Sequence, residues 1–327
     1  QPGVRNLDAL NVRAASVHRA RAGGITTANC MPGSGHLMSG QTTYLKLRRG
    51  NTVDELLILG EDGQPTGGLK MANGTNSQRK APFPGTRGKS AALVRQAYLD
   101  AQAYVQKQAG DEAGAIDLDM ATLAEVLAGE RVVHHHTHRH DDILTVLRLR
   151  AEFGFRLVLQ HVSEAYRVAD EIAAAGVPCS LILIDSPGGK IEAKDMSWET
   201  GAVLERAGVP VAFHTDDPIN DSRLFVRSAA LAVRAGMSRE GALASVTLTG
   251  AEMLDLGDRL GSLEVGKDAD LVVWSGDPLS VYSLVEQTWV EGQRVFDLSD
   301  PQDAHYAEGG EGASHGTTAH VHGLDGE

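Results

Sequence analysis

Cysteine is scarce in this chain, positive charge is outnumbered and no long hydrophobic run occurs; each shortage closes off a class of protein. Cys30 and Cys179 are the only cysteines among 327 residues. Two thiols so far apart read as buried free thiols, not as a disulfide framework. Lys and Arg number 30 against 43 Asp and Glu, a formal charge of −13. Phosphates would be repelled, so neither nucleic acid nor an anionic membrane is expected as the main partner. No apolar run approaches the roughly 18 residues of a membrane span. The chain opens on Gln1 with no charged-then-apolar leader. It is read as a fragment or a processed chain whose compartment the sequence does not assign.

What is present suits an ordinary globular protein, 42% hydrophobic and 22% charged. A chain of 327 residues is long enough for one large barrel and a small accessory module. Between residues 24 and 250, short β-rich runs alternate with helix-patterned ones. Strands are expected near 24–29, 131–135, 156–160, 178–184 and 209–213. Helices are expected near 89–107, 141–153, 163–175, 196–207, 220–236 and 239–247. After about residue 255 turns and short strands take over, with a hairpin at Val290–Phe296 around Glu291-Gly292. The segment 299–327 has no periodicity and is expected to be disordered, with His315, His320 and His322 solvated.

The sharpest local feature is His134-His135-His136-Thr137-His138-Arg139-His140, five histidines in seven residues directly after Val132-Val133. Two later apolar runs also close on metal-type ligands, Leu157-Val158-Leu159-Gln160-His161 and Val209-Pro210-Val211-Ala212-Phe213-His214-Thr215-Asp216. Three such runs suggest parallel strands delivering ligands to one end of a barrel. His136 and His161 lie 25 residues apart, about one strand–helix unit, and His161 and Asp216 lie 55 apart, about two. That period implies a parallel sheet and suits a β/α barrel. A doubly wound open sheet is the runner-up, and it would need a Gly-rich nucleotide turn after its first strand.

Neutral imidazole and carboxylate are ligands for zinc and similar divalent ions. A metal so held lowers the pKa of bound water from 15.7 towards ~7, and a carboxylate beside it can carry the proton to a leaving nitrogen. His136, His161 and Asp216 supply such a set. His161 could instead be a satisfied core histidine, and Asp216 the N-cap of the helix near 220. Within the cluster His136 and His138 share a face of the strand, and His136 is nearer its end.

Several motifs together resemble the amidohydrolase superfamily, specifically its imidazolonepropionase-like branch. They are Gly24-Ile25-Thr26-Thr27, Met31-Pro32-Gly33-Ser34-Gly35-His36 with Ser39-Gly40-Gln41, Gly68-Leu69-Lys70-Met71-Ala72, His136-Thr137-His138-Arg139, Leu159-Gln160-His161 and His214-Thr215-Asp216-Asp217-Pro218. The run Gly261-Ser262-Leu263-Glu264-Val265-Gly266-Lys267-Asp268-Ala269-Asp270-Leu271 completes the set and is its most specific member. The resemblance implies a (β/α)8 TIM barrel over residues 1–254, with residues 255–298 forming part of a composite β-sandwich. It also implies hydrolysis of a C–N bond in a small amide, cyclic amide or peptide-like molecule by metal-bound hydroxide, with one or two Zn2+ or other divalent ions as cofactor.

By the same resemblance His136 and His161 match metal ligands of the fifth and sixth strands. Asp216 matches the eighth-strand Asp that touches metal and acts as general base and acid. Lys70 matches the fourth-strand lysine that relatives carboxylate; Lys46, also in a strand-like run, reads as an ordinary surface lysine. Ser34, His36 and His138 are candidate substrate contacts. The family's His-x-His pair at the end of the first strand has no counterpart, since His18 stands alone upstream of Gly24. The barrel is therefore expected to lack its first strand, and the polypeptide beginning at Gln1 to be inactive or nearly so. A superfamily deaminase and a non-catalytic barrel are the rival readings. Thr-His-Arg-His after His136, where deaminases carry a Glu, disfavours the first. The partner is a small-molecule substrate, and homo-oligomerisation is left open.

Overall fold

Short apolar runs bounded by turns become the strands of the central sheet. In the computed structural model, which describes residues 1–80, 83–110, 114–183 and 191–308, eleven strands are seen among the described residues. They are β1 Thr27–Cys30, β2 Met38–Gln41, β3 Thr43–Lys46, β4 Leu69–Ala72, β5 Val133–Thr137, β6 Leu157–His161, β7 Cys179–Leu181, β8 Val211–Phe213, β9 Leu271–Trp274, β10 Val285–Val290 and β11 Gln293–Asp297. Six form one sheet in the order β2-β4-β5-β6-β7-β8. The pairs from β4 to β8 are parallel, and β2 is antiparallel to β4. β1 pairs with β3, and β9 to β11 make a separate antiparallel sheet.

Side chains alternate across each strand, and the alternation divides apolar from polar. Leu69, Met71, Val133, Leu157, Leu159, Cys179, Leu181, Val211 and Phe213 face the helices and belong to the main core. Opposite them Val94, Tyr98, Ile143, Val146 and Leu149 come from helices Arg87–Gln108 and His140–Phe153. The other face carries Lys70, His134, His136, Gln160 and Ser180, all buried, with Val158 and Ala212 in a small cluster beside Met253. One face of the sheet is thus a core, and the other is a polar interior.

Local chemistry sets the boundaries. Helix Arg87–Gln108 starts where the Thr86 side chain accepts a hydrogen bond from the Lys89 amide, capping a free donor of the first turn. Helices His140–Phe153 and Ala169–Ala175 stop at Gly154 and Gly176, whose φ of 77° and 62° are left-handed. The Glu291-Gly292 turn has φ of 51° and 74°, the positive pair that a two-residue hairpin needs; the expected hairpin is there. Gly68 has a different reason: a Cβ there would lie 2.4 Å from the Val132 oxygen and 2.5 Å from the His134 ring.

Some expectations need correcting. The six-stranded sheet stays open among the described residues, where a barrel was expected, and its edge strand β2, which the sequence did not announce, runs antiparallel to β4. Helix Leu118–Leu127, capped by Asp117, was not anticipated. The C-terminal segment expected to be disordered contains helix Pro301–Ala307, started by Asp300 and Pro301 and held by Tyr306 stacking on His18 at 4.5 Å; His315, His320 and His322 lie outside the described residues.

Lys46 is no surface lysine. It is fully buried, with Nζ 2.6 Å from Asp270 Oδ2 and 3.1 Å from Asp268 Oδ2. Those two carboxylates belong to the Gly-Lys-Asp-Ala-Asp-Leu run, so part of that signature is an ion-pair clamp between β3 and the C-terminal module. Removing the lysine leaves the buried Asp270 carboxylate without its cation, while Asp268 keeps Arg259 at 3.1 Å. Lys46→Ala is expected to cost about 3–5 kcal/mol in urea unfolding, and a loss below about 1 kcal/mol would show that the clamp contributes little.

Candidate active site

The polar interior ends, at the carboxyl side of the parallel strands, in a group of imidazoles. His136 lies with its ring centroid 4.7 Å from His138 and 4.4 Å from His161. His138 stacks on His161 at 5.2 Å, and His161 meets His214 at 4.7 Å. Three strands contribute: β5, β6 and β8.

His136 and His214 reach this place by ordinary alternation, His161 does not. Val158 and Gln160 point inward on β6, so His161 would point to the helices. Its φ is 71°, and that of Val162 is 38°. This left-handed kink turns the ring inward while Val162 takes the place in the main core. Two consecutive non-glycine residues in that region are strained, and such strain gathers at functional sites. Asp216, beyond β8, is a third such residue with φ 50°.

Hydrogen bonds fix the rings. His138 Nδ1 lies 2.8 Å from Ser163 Oγ, His214 Nδ1 lies 2.8 Å from Ser180 Oγ, and His214 Nε2 lies 2.9 Å from His161 Nδ1. When His138 and His161 each donate from Nδ1, their Nε2 lone pairs are left for a cation, the arrangement found in metal-binding histidines. Deeper in the interior Gln160 Nε2 donates to His134 Nδ1 at 3.2 Å, so His134 Nε2 carries the proton and donates to Tyr44 Oη at 3.0 Å.

Burial keeps these rings neutral. It pushes the pKa of His134 down to about 3 and those of His135 and His214 down to about 4. His161 is held well below its ordinary value by burial, then by His136 and His214. The Lys70 charge pushes all four in the same direction, and Asp216 opposes it at His214. Neutral imidazole is the form that binds a metal. Among the described residues no three His, Cys, Asp or Glu side chains close into a metal cage; the rings meet one another edge to face or, for His138 and His161, stacked. The site supplies the right donors, neutral and buried, without a finished coordination shell.

The other expected residues fall in different places. Lys70 projects from the inner face of β4 as the register partner of His134, with Nζ 3.8 Å from Met31 Sδ. Asp216 is exposed; the capping role read as its alternative falls to Asp217, which accepts from the Ser222 amide and hydroxyl, and to Asp221. Ser34 accepts from Asn76 Nδ2 at 2.6 Å, and His36 lies against Phe83 at 5.8 Å. No hydrogen bond or ring contact among the described residues joins either to the imidazoles. His214, Ser163 and Ser180 were not anticipated as site residues. His214 had a signal, since it closes an apolar run; the serines had none.

Comparison with known proteins identifies the family. A model of the amidohydrolase family matches residues 98–296. The chain belongs to the amidohydrolase family. A solved amidohydrolase from Thermotoga maritima MSB8 superposes with a TM-score of 0.85 at 36% identity, over 91% of this chain and 78% of that one. Amidohydrolase tasK of Hapsidospora irregularis is 28% identical over 90% of this chain and 33% of its own length. Imidazolonepropionase of Stenotrophomonas maltophilia (strain R551-3) is 33% identical over 39% of this chain and 31% of the enzyme. The chain spans about a third of the length of these two curated relatives.

The buried rings make stability pH-dependent. Their folded pKa values lie below the unfolded value of ~6.5. The unfolded chain therefore binds more protons between about pH 4 and 6.5. Stability from this source is complete above that window and falls as the pH drops through it. His134→Gln is expected to flatten the dependence by about one proton, read from urea unfolding at pH 7 and pH 5. An unchanged slope would mean that His134 is not held neutral.

Proposed function

We propose that this chain carries most of the active site of a metal-dependent hydrolase that cleaves a C–N bond in a small amide, cyclic amide or peptide-like substrate. The observation that carries this reading is the convergence of His136, His138, His161 and His214 at the carboxyl ends of parallel strands, the first three buried and the pKa of His161 and His214 pushed down by desolvation. In β/α barrels that end is where catalytic groups collect. We further read the open sheet as part of a β/α barrel, and β9 to β11 as part of a composite β-sandwich. The extensive likeness to the Thermotoga maritima amidohydrolase supports that architecture.

One or two divalent ions, Zn2+ among them, would be held by His136 and His161, with Asp216 and a carboxylated Lys70 as further ligands. Such an ion supplies Lewis acidity and a water whose pKa is lowered towards ~7. The protein's own groups do the rest. Ser163 holds His138 and His214 holds His161, so that both rings keep one orientation. Lys70, as an ammonium, is of the wrong sign beside a cation; reaction of Nζ with carbon dioxide would make it an anionic ligand. Asp216, two residues beyond His214 and open to solvent, would take a proton from water and return it to the leaving nitrogen. His138 is a substrate contact in this scheme, with Ser34 and His36 in a loop that could reach a larger substrate.

In the full-length protein, Asp216→Asn is expected to lower turnover of a cyclic-amide panel by about 10²–10⁴ with Tm unchanged. Retention of more than half the activity would remove Asp216 from this role. Elemental analysis should show bound metal that His161→Ala loses. With metal and bicarbonate present, intact-mass and crystallographic analysis should show carbon dioxide added to Lys70; an unmodified lysine pointing away from the ions would overturn that assignment.

A further inference from the structure

The strand β1 offers a buried group that the scheme above does not use. Both polar atoms of the Asn29 carboxamide, Nδ2 and Oδ1, are buried with no hydrogen-bond partner. The Thr27 hydroxyl on the same strand is in the same condition. A buried amide with neither its donor nor its acceptor satisfied is costly, and each such group calls for an explanation.

Its position can be triangulated. Ala28 and Cys30 pack with Leu45, Leu47 and Leu56 in a separate apolar cluster, so Thr27, Asn29 and Met31 point the other way. Asn29 is the register partner of Tyr44, and partners directly opposite share a face. The Tyr44 hydroxyl is 3.0 Å from His134 Nε2, while Met31 Sδ is 3.8 Å from Lys70 Nζ. Lys70 and His134 are themselves register partners on the inner face of the main sheet. Asn29 therefore lies between two residues that each touch that face, beside the lysine whose charge is felt by His161 and His214.

We propose that Asn29 is a specificity residue that reads the amide of the substrate. A cis amide, as in a lactam or cyclic imide ring, presents its N–H and C=O along one edge. The Asn29 carboxamide is the complement: Nδ2–H donates to the substrate oxygen, and Oδ1 accepts from the substrate N–H. The choice of ligand rests on the amide-hydrolase reading; the position of Asn29 does not. A site built this way discriminates strongly, because an analogue lacking the N–H leaves Oδ1 buried and unsatisfied.

Binding, not turnover, tests this. The full-length protein is titrated by NMR with 2-piperidone and with N-methyl-2-piperidone, both inert enough to serve as ligands. Wild type is expected to prefer the unmethylated ring by about ten-fold or more, the loss typical of a buried hydrogen bond. Asn29→Leu is expected to abolish the preference and to raise Tm by about 2 °C or more, since it removes two unsatisfied polar atoms. A structural role for Asn29 predicts the opposite sign in Tm. Asn29→Ala repeats the binding arm if the leucine variant does not fold. Absence of a preference in wild type, or its persistence in both variants, overturns the proposal. A preference that tracks Asn29 in a protein with no bound metal and no hydrolysis upholds the amide site and defeats the hydrolase reading instead.

Discussion

The candidate site depends on a backbone reversal at the end of β6. A regular strand would bury His161 among the helices, away from His136, because its neighbours Leu157 and Leu159 already face that way. Two successive left-handed residues, His161 and Val162, exchange the positions. Val162 then fills the core and His161 enters the polar interior. Conformations of this kind cost roughly 1–3 kcal/mol each, and they persist only where the surroundings hold them. Here the Val162 amide bonds the Thr137 carbonyl at 2.9 Å and the His214 ring bonds His161.

The second dependence is electrostatic. A cluster of imidazoles this close together could not all be protonated, and burial settles the matter in favour of the neutral form. Lys70 reinforces that choice while it is an ammonium, since its charge opposes protonation of His134, His135, His161 and His214. The same groups that keep the rings deprotonated therefore prepare them to donate lone pairs. Asn29 on β1, the register partner of the Tyr44 that bonds His134, carries two further unsatisfied polar atoms.

Away from the site, buried charge serves assembly. Lys46 joins β3 to Asp268 and Asp270, and Arg48 joins the same strand region to Glu291 at 2.6 Å. All three acidic partners come from the module after residue 255, so ions tie the module to the chain's early elements alongside apolar contacts of Tyr44 with Leu256 and Leu260 and of Ala22 with Val285 and Phe296. Gly261, with φ 90° and a Cβ direction only 2.5 Å from Leu248 Cα, explains the first residue of the same signature by close approach.

The sequence by itself determined the alternation of strands and helices, the histidine-bearing strand ends, the Glu291-Gly292 hairpin and the family. These rest on short-range periodicity and on turn chemistry, which a linear pattern carries. It also pointed to His136, His138 and His161, because runs closing on histidine are visible in one dimension. Only the tertiary structure decided that His161 reaches the others through left-handed backbone, that His214 joins them, and that Ser163 and Ser180 orient the rings. It alone buried Lys46, exposed Asp216 and set Asn29 opposite Tyr44. Those outcomes depend on which residues meet across strands far apart in the chain, and a local pattern holds no record of its distant partners.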